Sequence, residues 1–287
     1  MIAVILNRNK GDHGKVAAAL EAAGIDAAIE AVEGDAIEQR SRTALGQGAR
    51  LIVVGGGDGS ISAAAQALAD SDASLGILPL GTLNHLARDL GLPRDLTGAA
   101  TAIASGRPRA IDVAEVNGRI FVNNAAIGLY PLMVVDREAQ QQRLGRSKRL
   151  AMLVASLRTL LRFHHQRLTL SADGDEGRID TPLLLVGNND YRLAVPGAGR
   201  RERLDGGRLS LFVLRKKHVP GFLAAMARAL VGLTRDNDMV RIDGVERLSV
   251  DSRRSGVRLA LDGEPVDLRP PLEFRIRPKA LKVIVPQ

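Results

Sequence analysis

The sequence predicts a three-layer α/β domain with a parallel sheet, followed by a mostly antiparallel β-sandwich. Three observations predict it. From residue 2 to residue 104, short apolar runs alternate with Ala-rich helical stretches, the pattern of a parallel sheet covered by helices on both faces. From residue 110 onward the runs become short and β-like, separated by turn signals such as Asn117-Gly118, Asp173-Gly174 and Asp205-Gly206-Gly207. The chain has 287 residues, 45% of them hydrophobic, enough to bury two cores and too apolar for disorder.

Each element has a local reason. Residues 2–6 are apolar and read as a buried first strand. Residues 15–23 are Ala-rich and helical, stopped by Gly24. Residues 25–31 read as strand two, and 35–45 as a helix ended by Gly46 and Gly48. Residues 51–54 are four apolar side chains running into glycines, a fully buried strand. Then come a helix at 61–69, a strand at 75–78, and a helix at 84–90 halted by Gly91 and Pro93. Asp95 can cap the next helix, which runs to Ala104. Beyond it, β-like runs occupy 110–116, 119–125, 167–171, 182–187, 208–214, 241–242, 247–250, 257–261 and 272–277. Helical segments at 147–163 and 221–233 interrupt them, and 280–285 is a final apolar strand. The expected division is an α/β domain of residues 1–118 joined by 279–287, and a sandwich of residues 119–278.

Composition excludes several functions. With no Cys there are no disulfides, thiolate metal sites or Cys nucleophile, which fits a reducing cytoplasm. Aromatics make up 2%, too few for a nucleic-acid binder built on base stacking. No uncharged run reaches the roughly 20 apolar residues of a membrane span, and residues 1–6 are too short for a signal-peptide core. The net charge of +8 is uneven. Residues 1–120 hold 11 Lys+Arg and 14 Asp+Glu, a net −3; residues 121–287 hold 29 and 18, a net +11. A basic surface of that kind suits an anionic membrane, a phosphate ligand or nucleic acid, or is simply solvated.

The most informative segment is Gly55-Gly56-Gly57-Asp58-Gly59-Ser60, where a buried strand runs through glycines into a helix. Glycines let backbone N–H groups approach a phosphate, and the following helix offers its positive end. Ser60 can add a hydroxyl. Asp58 would repel phosphate directly, which suggests Mg²⁺ or a carboxylate acting on an attacking hydroxyl. Neither the dinucleotide nor the Walker pattern fits: Gly55-x-Gly57-x-x-Ser60 lacks the third Gly, and Gly14-Lys15 lacks its partners. A second loop, Pro79-Leu80-Gly81-Thr82-Leu83-Asn84, repeats the strand–glycine–helix order. Thr82 can cap the helix or bond a phosphate, and Asn84 adds amide donors. Two such turns at the carboxyl edge of a parallel sheet share one crevice.

Together these loops resemble the catalytic domain of the diacylglycerol kinases, shared by bacterial lipid kinases and by sphingosine and ceramide kinases. The carriers are G-G-D-G-[TS] at 56–60, P-x-G-T-x-N at 79–84, the link at 107–124 with Asp112, Phe121 and the Asn123-Asn124 pair, and Leu261-Asp262-Gly263-Glu264. The match runs through nearly the whole chain in the right order. The resemblance implies a lipid hydroxyl as acceptor, ATP and Mg²⁺, and a site between the two domains. Carried over, Gly56, Gly57, Asp58, Gly59, Ser60, Ile61, Ser62, Gly81, Thr82 and Asn84 would bind ATP. Glu264 would be the general base, with Asp262 or Asp58 organising metal. Read without the resemblance, Asp262-Gly263 is a hairpin turn.

Four departures stand out. Relatives begin with N-P where this chain has Asn7-Arg8. No Thr marks strand two, and their N-D is Asn84-His85 here, with His85 reading as a helix-surface residue. Their L-D-D-G is Leu204-Asp205-Gly206-Gly207. The lost second carboxylate leaves Asp205 as a metal candidate that reads equally as a turn residue.

Residues 137–167 hold eight Lys+Arg against Glu138, with leucines at helical spacing. A basic amphipathic helix of this kind lies on an anionic bilayer or packs on the sandwich. Arg200-Arg201-Glu202-Arg203 is a second basic cluster, either a headgroup contact or a solvated loop. The expected partners are a lipid alcohol and a transient anionic membrane surface, with no nucleic acid and with a homodimer left open. The expected location is the cytoplasm, peripherally at the membrane. A soluble NAD kinase, which shares G-G-D-G, and a non-catalytic nucleotide- or lipid-binding module remain alternatives.

Overall fold

The computed structural model describes residues 1–129, 131, 165–191, 201, 203–216, 218–230, 233 and 238–287. The helical segment expected at 147–163 and most of the basic stretch at 137–167 lie outside the described residues.

The first half builds β1 (Ile2–Asn7), α1 (His13–Ala22), β2 (Ile29–Val32), α2 (Ile37–Gly46), β3 (Leu51–Gly56), α3 (Asp58–Leu68), β4 (Ser74–Pro79), α4 (His85–Asp89) and α5 (Leu96–Ser105). The strands are parallel in the order β2-β1-β3-β4. Alternation divides their side chains between two layers. Val4, Leu6, Val53 and Leu78 pack with Val16, Leu20 and Ile103 of α1 and α5. Ile5, Ile52, Val54, Leu75 and Ile77 pack with Ile37, Ile61 and Leu68 of α2 and α3. Strands buried on both faces read as continuous apolar runs, which is why they were visible in the sequence. Asp95 caps α5 as expected, accepting from Gly98 N–H at 2.7 Å.

The second half comprises β5 (Arg107–Val116), β6 (Arg119–Phe121), β7 (Asn124–Gly128), β8 (Gln166–Ala172), β9 (Asp175–Thr181), β10 (Leu183–Asn188), β11 (Leu209–Leu214), α6 (Val219–Leu230), β12 (Met239–Val245), β13 (Arg247–Ser252), β14 (Val257–Leu261), β15 (Glu264–Leu268) and β16 (Leu272–Val285). A six-stranded antiparallel sheet, β12-β11-β10-β7-β14-β15, faces the antiparallel part of the first sheet. Their inner faces meet in one core around Phe121 and Phe274, whose rings lie edge-on with centroids 6.3 Å apart.

The runs expected at 272–277 and 280–285 are one strand. β16 pairs with β13 at Leu272–Arg275 and with β4, in parallel, at Lys282 and Val283. It follows β5 along its length, with a register shift between Arg277 and Leu281. A single ten-stranded sheet therefore passes through both halves. Strand two starts only at Ile29, and the run at 119–125 divides into β6 and β7. β9 and β15 were not expected at all.

Candidate active site

The two glycine loops are neighbours because their strands are. Gly55 pairs with Leu78 and Gly56 with Pro79, and Leu80 N–H donates to Gly56 O at 2.9 Å. Their backbones then touch. A Cβ on Gly81 would lie 2.6 Å from Gly57 Cα and 2.6 Å from Asn84 Oδ1, so the second loop admits no side chain there. α3 begins at Asp58 with Gly57 as its N-cap. Ile61 N–H already donates to Gly57 O at 3.1 Å. The N–H groups of Asp58, Gly59 and Ser60 precede the helix ladder and form, with the dipole, an anion-binding end.

Asp58 ties the loops together. Its Oδ1 accepts from the backbone N–H of His85, the first residue of α4, at 2.7 Å. Asn84 shapes the second loop from within. It sits at φ 48°, its Oδ1 accepts from Gly81 N–H at 3.0 Å, and its Nδ2 donates to Gly81 O at 2.9 Å and to Pro79 O at 3.2 Å.

The D-G-E segment arrives from the other half of the molecule. Asp262 and Gly263, at φ 49° and 90°, are the two central residues of the β14–β15 hairpin. Positive φ at both positions is the requirement of the tightest hairpin turn. The turn also delivers the Asp262 carboxylate to the α/β half. Oδ2 accepts from the Ser62 hydroxyl of α3 and from Val122 N–H at 2.7 Å. Oδ1 accepts from Asn123 N–H at 2.7 Å and Asn124 N–H at 3.0 Å. Burial pushes this carboxyl above the usual aspartate range, against the pull of the Ser62 and backbone hydrogen bonds. Glu264 stands over the first turn of α3, where a Cβ on Gly59 would come 3.0 Å from its Oε1. Glu264 thus stands next to the glycine-lined helix start that carries Asp58.

Residues 2–116 match the diacylglycerol kinase catalytic domain, and residues 133–285 match the YegS C-terminal NAD kinase beta sandwich-like domain. The chain belongs to the diacylglycerol kinase family of lipid kinases. It is a kinase. A "Probable lipid kinase YegS-like" of Pseudomonas savastanoi is 34% identical over 85% of this chain and 78% of that one. The "Diacylglycerol kinase" of Bacillus subtilis is 29% identical over 85% and 81%. A crystal structure of a diacylglycerol kinase from Bacillus anthracis superposes with a TM-score of 0.71 at 22% identity, covering 99% of this chain and 96% of that one, and shows the same fold.

In this kinase several expected contacts turn inward. The Ser60 hydroxyl is buried and accepts from Asn7 Nδ2 at 3.1 Å, beneath Gly56, whose added Cβ would lie 2.3 Å from Ser60 Oγ. The Ile61 side chain lies in the core. Ser62 faces Asp262, and the Asn84 amide is spent on its own loop. Thr82 does not cap α4, whose N-cap is Asn84; it lies exposed at the loop tip. Asp262, expected as a metal candidate, accepts two hydrogen bonds at each carboxylate oxygen. Asp205 is exposed and accepts from Arg203 Nε at 3.3 Å, as a turn residue does. Among the described residues no three His, Asp or Glu gather as a metal cage.

The Arg200–Arg203 cluster is also corrected. Arg201 is not solvated: its Nε donates to Asp89 Oδ2 at 2.9 Å, with both side chains at most 1% exposed. Arg203 is exposed, and Arg200 and Glu202 lie outside the described residues. The contacts of Asn7 with Ser60 and of Asp89 with Arg201 were not anticipated from the sequence. Only Asn7 had a readable signal, a polar side chain ending a buried strand at the sheet's carboxyl edge.

Proposed function

We propose that this kinase transfers the γ-phosphoryl group of ATP to the hydroxyl of diacylglycerol or a related lipid alcohol. The observation that carries this reading is the placement of Glu264 against Gly59, beside Asp58, at the amide-rich start of α3. The backbone N–H groups of Gly57, Asp58, Gly59 and Ser60 take the phosphates. Gly56 and Gly81 contribute by leaving room for that backbone, and Thr82 by its exposed hydroxyl. Glu264 accepts the proton of the attacking lipid hydroxyl. Asp262 positions the hairpin that carries Glu264, through Ser62. The donor set suits a Mg²⁺ that arrives with the nucleotide, held by Asp58 and phosphate oxygens rather than by a protein cage. Such an ion, when bound, supplies charge neutralisation at the transferred phosphoryl group.

The same reading assigns residues 1–118 with 279–287 to the nucleotide half and 119–278 to the lipid half. The pairing of β16 with β4 at one end and β13 at the other supports that division. The basic second half would rest transiently on an anionic membrane surface, and no described helix is long and apolar enough to cross one. The test is a lipid panel in mixed micelles with labelled Mg-ATP, alongside Asp58→Ala. Phosphorylation of NAD with indifference to lipid would favour the NAD kinase reading, which the name of the matched sandwich domain keeps in view.

A further inference from the structure

A closed circuit of polar contacts joins the two glycine loops to the Asp262 turn by a second route. It starts at His85, whose backbone N–H holds Asp58. The Nδ1 atom of His85 lies 3.1 Å from an Arg88 guanidinium nitrogen. A guanidinium only donates, so Nδ1 is the acceptor and the imidazole proton sits on Nε2. Arg88 Nε approaches Asp89 Oδ1 at 3.7 Å, and Asp89 Oδ2 accepts from Arg201 Nε at 2.9 Å. Arg201 then donates to Val122 O and, at 3.0 Å, to Asn123 Oδ1. Val122 and Asn123 are residues whose N–H groups hold Asp262. Asp262 closes the circuit through Ser62 on α3, the helix that begins with Asp58.

We propose that Asp89 and Arg201 are positioning residues for phosphoryl transfer, acting through Arg88 to hold His85 in one tautomer and one orientation against the Asp58 loop. Three features distinguish this from a pair that merely stabilises the fold. Both side chains are almost wholly excluded from solvent although their residues are 112 apart in sequence. The guanidinium makes three separate hydrogen bonds, to Asp89, Val122 and Asn123, which fixes its plane as well as its charge. The pair reaches the nucleotide loops from two sides, through the Arg88–His85 step to the second loop and through Val122, Asn123, Asp262 and Ser62 to the helix of the first. His85, whose backbone N–H holds Asp58, is thereby fixed in the Nε2–H tautomer.

This inference rests on the assignment of Asp58 to phosphoryl transfer, so its test pairs turnover with a readout that needs no turnover. The full-length kinase and its Asp89→Asn and Arg201→Lys variants are compared. The measurements are kcat, nucleotide KM, melting temperature and the ¹⁵N shifts of His85, assigned with His85→Gln. The wild type is expected to show the Nε2–H tautomer. Both variants are expected to lose that single-tautomer signature, with kcat falling by roughly 10-fold or more and KM moving far less, since small misplacements act on the reacting geometry. If a variant fails to fold, Arg88→Gln carries the tautomer test while leaving the Asp89–Arg201 hydrogen bond in place. Unchanged His85 shifts in the folded variants, or kcat that falls only with the folded fraction, would overturn the proposal. A wild type with the expected tautomer but no lipid phosphorylation would sink the functional reading and leave the positioning network standing.

Discussion

At the scale of single residues, Asp262 shows how one side chain serves as turn and tether. Its backbone makes the hairpin, and its carboxylate takes four hydrogen bonds from groups 138 to 200 residues away. Because burial outweighs those bonds, the folded protein keeps this proton to higher pH than the unfolded chain does. The group's contribution to stability is therefore full below the ordinary value of 3.8 and is lost as pH rises through the folded value. Carboxyl ¹³C shifts should place the Asp262 midpoint above 3.8, and a midpoint at or below it would reverse the sign. The Asp262-Gly263 turn was legible because Asp-Gly readily adopts positive φ at both positions, while Asp262 and Glu264 were picked out as site candidates only through the resemblance. Their division of labour was not legible. Nothing near Ser62 in the sequence marks it as the partner of Asp262, and nothing near Arg201 marks it as buried.

At the scale of elements, the loops work because β3 and β4 are adjacent and the backbone at Gly81 touches Gly57. Gly81→Ala would place a methyl 2.6 Å from the backbone Cα of Gly57, which can move only with its strand, and 2.6 Å from Asn84 Oδ1. Overpacking of this kind costs about 1–3 kcal/mol. Urea melts should show a loss of that size, and transfer activity should fall further than the folded fraction does. Full stability and activity in Gly81→Ala would mean that the loops are not held by this contact. The elements that escaped sequence reading did so for physical reasons. β9 reads Asp-Glu-Gly-Arg-Ile-Asp-Thr and is an edge strand exposed along most of its length, so it lacks an apolar alternation. β16 was divided by Pro278-Lys279, the site of its register shift, with Lys279 at φ 53°. The parallel strands, buried on both faces, carried the strongest signal and were placed within a few residues.

At the scale of the whole molecule, the charge asymmetry and the continuous sheet meet in one arrangement. Residues 1–120 are near neutral, at −3, and residues 121–287, which include the half assigned to the lipid, carry +11. With aromatics at 2%, the proposed membrane contact would rest on Lys/Arg and aliphatic side chains. Each basic residue near an anionic surface contributes about 1 kcal/mol, screened by salt. Co-sedimentation with liposomes should therefore increase with the anionic lipid fraction and decrease with ionic strength; binding indifferent to both would remove the electrostatic account. The central claim is tested most directly by labelled phosphate transfer from Mg-ATP to diacylglycerol in anionic mixed micelles, comparing the wild type with Asp58→Ala. The account expects labelled lipid phosphate from the wild type and a loss of roughly 100-fold or more in the variant. Equal transfer by the two proteins, or none to any lipid alcohol by the wild type, would contradict it.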